Sequence, residues 1–97
     1  MKMEVTDIRD YIWQELEKRK IIANDFVITD CTLENYEVEF TISFFFDRDN
    51  YLKASAVLSE ICRKLEKKET WFKWKVIFAL ETKPGFCIAQ ELFVPNR

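Results

Sequence analysis

The chain has 97 residues, 48% of them hydrophobic and 15% aromatic, and a formal charge of −2. That length makes one domain, residues 1–97, with one core that buries roughly 60 to 70% of the unfolded surface, and the apolar content excludes a disordered segment. The acidic balance excludes nucleic-acid binding through bulk charge, because phosphate contacts are led by Lys and Arg, and charges interrupt every apolar stretch well short of the roughly 18 residues of a membrane span.

The first expected element is a helix that begins near Thr6 or Asp7 and runs to about Lys20. Asp7 and Asp10 in its first turn and Lys18, Arg19 and Lys20 in its last suit the helix dipole, and Glu15 and Arg19 form an i,i+4 pair. Val5, Ile8, Tyr11, Ile12 and Leu16 make an apolar stripe at helical spacing. Trp13 falls beside the stripe, as core rim or as an exposed anchor for a partner.

Asn24-Asp25 marks a turn, and Phe26–Cys31 is rich in β-branched residues, which predicts a short strand. Thr32–Asn35 then reverses the chain into a long strand, Tyr36–Phe46. Every even position of that strand is apolar or aromatic, while Glu37, Glu39, Thr41 and Ser43 hold the odd ones, so one sheet face is sticky and the other begins wet. Phe45 breaks the alternation, either as an isolated exposed ring or as part of a face that something covers.

Asp49 or Asn50 caps a second helix with Tyr51, Ala54, Leu58, Ile61, Cys62 and Leu65 on its inner side and Lys53, Glu60, Arg63, Lys64, Lys67 and Lys68 on its wet side. Residues 71–80 alternate again, with 72, 74, 76, 78 and 80 inward and Lys73 and Lys75 outward. Lys83-Pro84-Gly85-Phe86 predicts a type II turn into a last strand, Phe86–Val94. The order is α-β-β-α-β-β, and the expected architecture is an α+β fold: one antiparallel four-stranded sheet with two helices packed on one face.

Chemistry is sparse. Histidine is absent, and Cys31, Cys62 and Cys87 lack zinc-site spacing. An odd number of widely spaced cysteines with no CxxC pair, behind an N-terminus that leads straight into a charged helix, predicts reduced, half-buried small hydrophobes in an intracellular protein without a signal peptide. Glu37 and Glu39 share a strand face about 7 Å apart, yet no partner base accompanies them. Asp47-Arg48-Asp49 begins like a calcium loop but lacks the third ligand and the glycine, and a single glycine in the chain precludes a phosphate-cradling loop. No catalytic residue, metal or cofactor is expected, and the reading is non-enzymatic.

One patch carries charge and rings together. Residues 63–75 hold six basic and two acidic residues, a net +4 that leaves −6 for the rest of the chain. It reads as a solvated helix end, as a contact surface for an acidic protein, or as a nucleic-acid-binding segment, although Phe72 and Trp74 fall on the inward parity.

The passage Val38–Leu65, an alternating strand that ends in an aspartate-bearing turn and enters a helix with alanines and leucines, resembles the tail-terminator (tail-completion) proteins of tailed bacteriophages. The order of elements resembles theirs as well. The resemblance implies a non-enzymatic protein that forms a ring, commonly a hexamer, on the end of the tail tube, halting its growth and joining it to the head connector. Such a protein is assembled in the bacterial cytoplasm and resides in the virion tail; outside that family the chain reads as cytoplasmic. Its partners would be further copies of itself, tail-tube and head-connector proteins, with no membrane and no nucleic acid. The residues expected at interfaces are Trp13, Glu37, Glu39, Phe45, Asp47, Asp49, Lys67, Lys68, Trp71, Lys73 and Lys75. The competing reading is a small acidic inhibitor or immunity-type protein that masks a basic enzyme surface with Glu34, Glu37, Glu39, Asp47 and Asp49.

Overall fold

The structure, a computed structural model, describes residues 2–83 and 86–95, with 82–83 and 86–88 described by their backbone alone. Helix α1 spans Val5–Lys18, slightly earlier than the sequence suggests, because Glu4 rather than Thr6 or Asp7 is the capping residue. The Asp7 carboxylate accepts the Glu4 backbone N–H at 2.9 Å, which satisfies one of the donors a helix start leaves open. The helix stops before Lys20. There the Lys20 N–H donates to the Glu17 carbonyl and the Ile21 N–H to the Leu16 carbonyl, a Schellman-type end with Lys20 at φ 59°, where glycine would usually stand. The expected Glu15–Arg19 pair forms at 3.0 Å, with Lys18 adding a second bond to the same carboxylate at 2.9 Å.

Strands β1 (Asp25–Thr32) and β2 (Val38–Phe46) form an antiparallel hairpin over eight register pairs, from Asp25–Phe45 to Thr32–Val38. Its turn lies later than Thr32–Asn35. The Tyr36 N–H donates to the Leu33 carbonyl and the Leu33 N–H to the Glu37 carbonyl, leaving Glu34, Asn35 and Tyr36 as a three-residue loop. Tyr36 therefore belongs to the turn and not to the strand: at φ 65° it occupies the left-handed position that closes such a loop, and its ring is exposed.

Helix α2 spans Arg48–Arg63 and begins slightly earlier than expected, because Asp47 and not Asp49 or Asn50 is the cap. Its carboxylate accepts the Asn50 backbone N–H at 2.9 Å and the Asn50 side-chain amide at 3.1 Å, and the Asn50 carbonyl oxygen in turn accepts the Ile22 N–H at 2.9 Å. One cap thus ties the loop after α1 to the start of α2. Strands β3 (Lys73–Lys83) and β4 (Phe86–Phe93) form the second antiparallel hairpin; the expected Pro84-Gly85 turn lies outside the described residues.

The sheet order is β1-β2-β3-β4. The fold is α+β with the expected element order, but the sheet is mixed rather than wholly antiparallel: β2 and β3 run parallel at its centre. The reason is the connection. Between the end of β2 and the start of β3 lies the 16-residue α2, which returns the chain to the end of the sheet where β2 began, whereas an antiparallel neighbour is reached by a tight turn.

Both helices cover one face. Ile8, Ile12 and Leu16 of α1 and Ala54, Leu58, Ile61 and Cys62 of α2 join Ile42, Phe44 and Phe46 of β2 and Trp74, Val76 and Phe78 of β3 in one buried cluster. Aromatic rings run through it, Phe44 lying against Trp13, Phe26 and Phe78 at centroid distances of 6.3, 6.3 and 5.7 Å. The even positions of β2 and β3 point inward as their alternation predicts, although Val38, Phe40 and Leu80 are only partly buried.

Candidate interaction surface

Covering one sheet face with two helices leaves the other to the odd-numbered residues of the central strands. The registers align them into rows across the sheet. Cys31, Glu39 and Lys73 form one row, followed by Thr29, Thr41 and Lys75; by Val27, Ser43, Ile77 and Leu92; and by Asp25, Phe45, Ala79 and Gln90. The Glu and Lys side chains gather at one end of this open face and most of its apolar ones at the other, where Asp25, Ser43 and Gln90 lie among them. At the charged end Lys73 Nζ lies 3.1 Å from a Glu37 carboxylate oxygen and Lys75 Nζ 3.6 Å from one of Glu39, so acid on β2 meets base on β3. At the other end Val27 is 43% and Leu92 53% exposed, with half-buried Ile77 and Phe45 between them.

Five of the residues expected at interfaces are brought together here: Glu37, Glu39, Phe45, Lys73 and Lys75. Phe45 is one ring of a strip and not an isolated exposure. The others lie elsewhere. Trp13 is core rim, partly buried and edge-on to Phe26 at 5.9 Å, and it separates two shallow cavities of about 250 and 270 Å³ beside α1. Trp71 is 54% exposed, but its indole N–H donates to the Glu4 carboxylate at 3.1 Å and its ring meets Phe40 edge-on, so it holds the N-terminus to the entry of β3. Lys67 and Lys68 are exposed in the turn after α2, beside Lys2, Glu66 and Glu69. Asp47 is the helix cap, and Asp49 stands in the first turn of α2.

The backbone N–H of Asn50, followed by its side-chain amide, holds the Asp47 carboxyl below its ordinary value. The stabilisation that the cap supplies is therefore present at neutral pH and is lost as the pH falls through the lowered folded value. We expect Asp47→Ala to lower the melting temperature at pH 7. The gap from the parent chain should close as the pH is taken down through the carboxylate range, which thermal unfolding followed by circular dichroism at stepped pH measures.

Cys31 and Cys62 depart from the half-buried expectation in opposite directions, and the side chain of Cys87 lies outside those described. Cys31 is exposed on the open face, and Cys62 is fully buried, where desolvation pushes its thiol up, with the nearby Glu66 charge acting in the same sense. A thiol in that state is unreactive. Among the described residues no three His, Cys, Asp or Glu side chains gather as a metal set, and no helix is long and apolar enough to cross a membrane.

Phe72 and Trp74 are buried at 3% and 2% exposure, which removes them as stacking platforms for bases.

Family models, curated proteins and solved structures give no match to this chain.

Sequence reasoning missed Val27, Ile77 and Leu92. Ile77 carried a signal, since it continues the outward parity of Lys73 and Lys75. Val27 and Leu92 enter the strip only through the strand order and register, which place them in one row with Ser43 and Ile77.

Proposed function

We propose that this chain is a non-enzymatic assembly protein of the tail-terminator type, which self-associates and, as a ring on the end of a tail tube, halts its growth and joins it to the head connector. The observation that carries the self-association is the open sheet face: Val27, Ile77 and Leu92, with Phe45 in the next row, lie on it, and no element among the described residues covers them. Apolar side chains grouped on a surface among polar neighbours mark a contact site. The reading as a terminator rests in addition on the strand-to-helix passage Val38–Leu65. In that role the protein works in the virion tail after assembly in the bacterial cytoplasm.

The ion pairs of Glu37 with Lys73 and Glu39 with Lys75 make this end of the face an alternation of acid and base and not an acidic surface, which favours a partner of the same mixed pattern, such as a second copy, over a basic enzyme. Light scattering behind size exclusion tests the reading. The expected mass is a multiple of the 11.7 kDa chain, and added protein should stop the elongation of purified tail tubes. A strict monomer at high concentration that leaves tube ends free to grow overturns it.

A further inference from the structure

The row pattern of the open face has a property that neither strand has alone. Along the seam between β2 and β3 each row pairs unlike residues: Glu39 beside Lys73, Thr41 beside Lys75, Ser43 beside Ile77, Phe45 beside Ala79. Acid stands next to base at one end, and large next to small at the other. A two-fold axis along that seam exchanges the two columns, laying β2 of one copy over β3 of the next at the same height. Glu39 then faces a second copy's Lys73, Ile77 faces Ser43, and Phe45 faces Ala79. The outer columns exchange too, so that exposed Val27 of β1 faces exposed Leu92 of β4. The face is complementary to itself in charge and in size under one symmetry operation.

The geometry points to a second copy of this chain as the occupant of the open face, packed sheet on sheet about the β2/β3 seam. The proposal rests on the self-association reading and adds how the partner sits. Aligned sheets cross at about 30° and pack about 10 Å apart, so the rows nearest the axis keep the closest match. Such a contact is isologous and closes at two. A ring then needs a second contact, for which the free edges of β1 and β4 remain.

Alternatives fit less well. An extended peptide on the β1 edge would meet Arg9, Asp10, Glu17 and Lys20 along α1, a mixed set that selects no charge. The basic turn at Lys64, Lys67 and Lys68 is interleaved with Glu66 and Glu69.

Crosslinking tests the arrangement. Val27 and Leu92 stand on the two edge strands of one sheet, three strand spacings or about 14 Å apart, whereas facing residues of two packed sheets are about 10 Å apart, too far for a disulfide. In the full chain carrying Cys31→Ser and Cys87→Ser, the pair Val27→Cys with Leu92→Cys should therefore be joined into a covalent dimer on denaturing gels by a bis-maleimide whose reach matches that sheet spacing of about 10 Å, while each single variant stays monomeric. Ile77→Glu should raise the dissociation constant of the pair at least about tenfold in sedimentation while leaving the melting transition cooperative. A doubly substituted chain that crosslinks no better than the single variants overturns the proposal, as does an Ile77→Glu protein that associates as the parent does. The two readings fail separately. Rings without the crosslink retain the terminator reading and reject the face pairing; a crosslinked dimer that caps no tube does the reverse.

Discussion

Phe44→Ala should cost about 3–5 kcal/mol of folding stability, the range for emptying a buried phenylalanine site. Phe44 is fully buried, and its ring is the junction at which Trp13, Phe26 and Phe78 meet. Removing it leaves a cavity walled by three other rings that the backbone of a central strand prevents from collapsing. Domains of this kind hold about 5–15 kcal/mol in total, so the variant stands at the edge of unfolding at room temperature. Phe45→Ser, one residue along the same strand, is the control. Phe45 points to the open face, so its loss should change the melting midpoint far less and act on self-association instead. Urea denaturation of both variants, with sedimentation of the second, separates the two faces of β2. A Phe45→Ser protein as unstable as Phe44→Ala would show that the assignment of faces is wrong.

Trp74 should give opposite results with its two natural replacements. It is 2% exposed and stacks on Phe93 at 6.1 Å, but among the described residues its indole N–H has no acceptor. A buried unsatisfied donor costs about 1–3 kcal/mol, and the ring's burial outweighs that cost. Trp74→Phe keeps most of the buried ring and deletes the orphan donor, so it should leave the protein as stable as the parent or up to about 1 kcal/mol more stable. Trp74→Ala deletes both and should cost about 3–5 kcal/mol. Chemical denaturation reads both, and a Trp74→Phe variant destabilised by as much as the alanine would mean that the N–H has a partner after all.

The open face follows from the same strand arithmetic. A strand shows one parity to the helices and the other to solvent, and in β2 and β3 both parities carry information: the even one builds the core, and the odd one writes a pattern of acid, base, large and small. Phe45 reads as a defect when β2 is considered alone. Set beside Ala79 in its row, it is the large member of a large-and-small pair.

Element types, their order and the inward parity of β2 and β3 were legible in the sequence because they follow from local periodicity: period two for the strands, three to four for the helices. The caps were less so. Glu4 and Asp47 won over Thr6 and Asn50, since several short polar residues near a helix start compete and the choice is made by where the preceding chain must enter. Tyr36 was hidden for a related reason: a tyrosine at φ 65° is unfavourable by itself and is held there by the hairpin bonds on either side of it.

What the sequence by itself determined is an α+β fold in the order α-β-β-α-β-β, with an aromatic core under one face of β2 and β3 and an acidic β2 paired in composition with a basic β3. What only the tertiary structure decided is the parallel run of those two strands, the row-by-row register between them, and hence the company of Val27, Ile77 and Leu92 on one uncovered face. The physical reason is that periodicity is a property of each segment, whereas neighbour order and register are set by how α2 returns the chain and by which side chains the helices bury, and no segment carries that information alone.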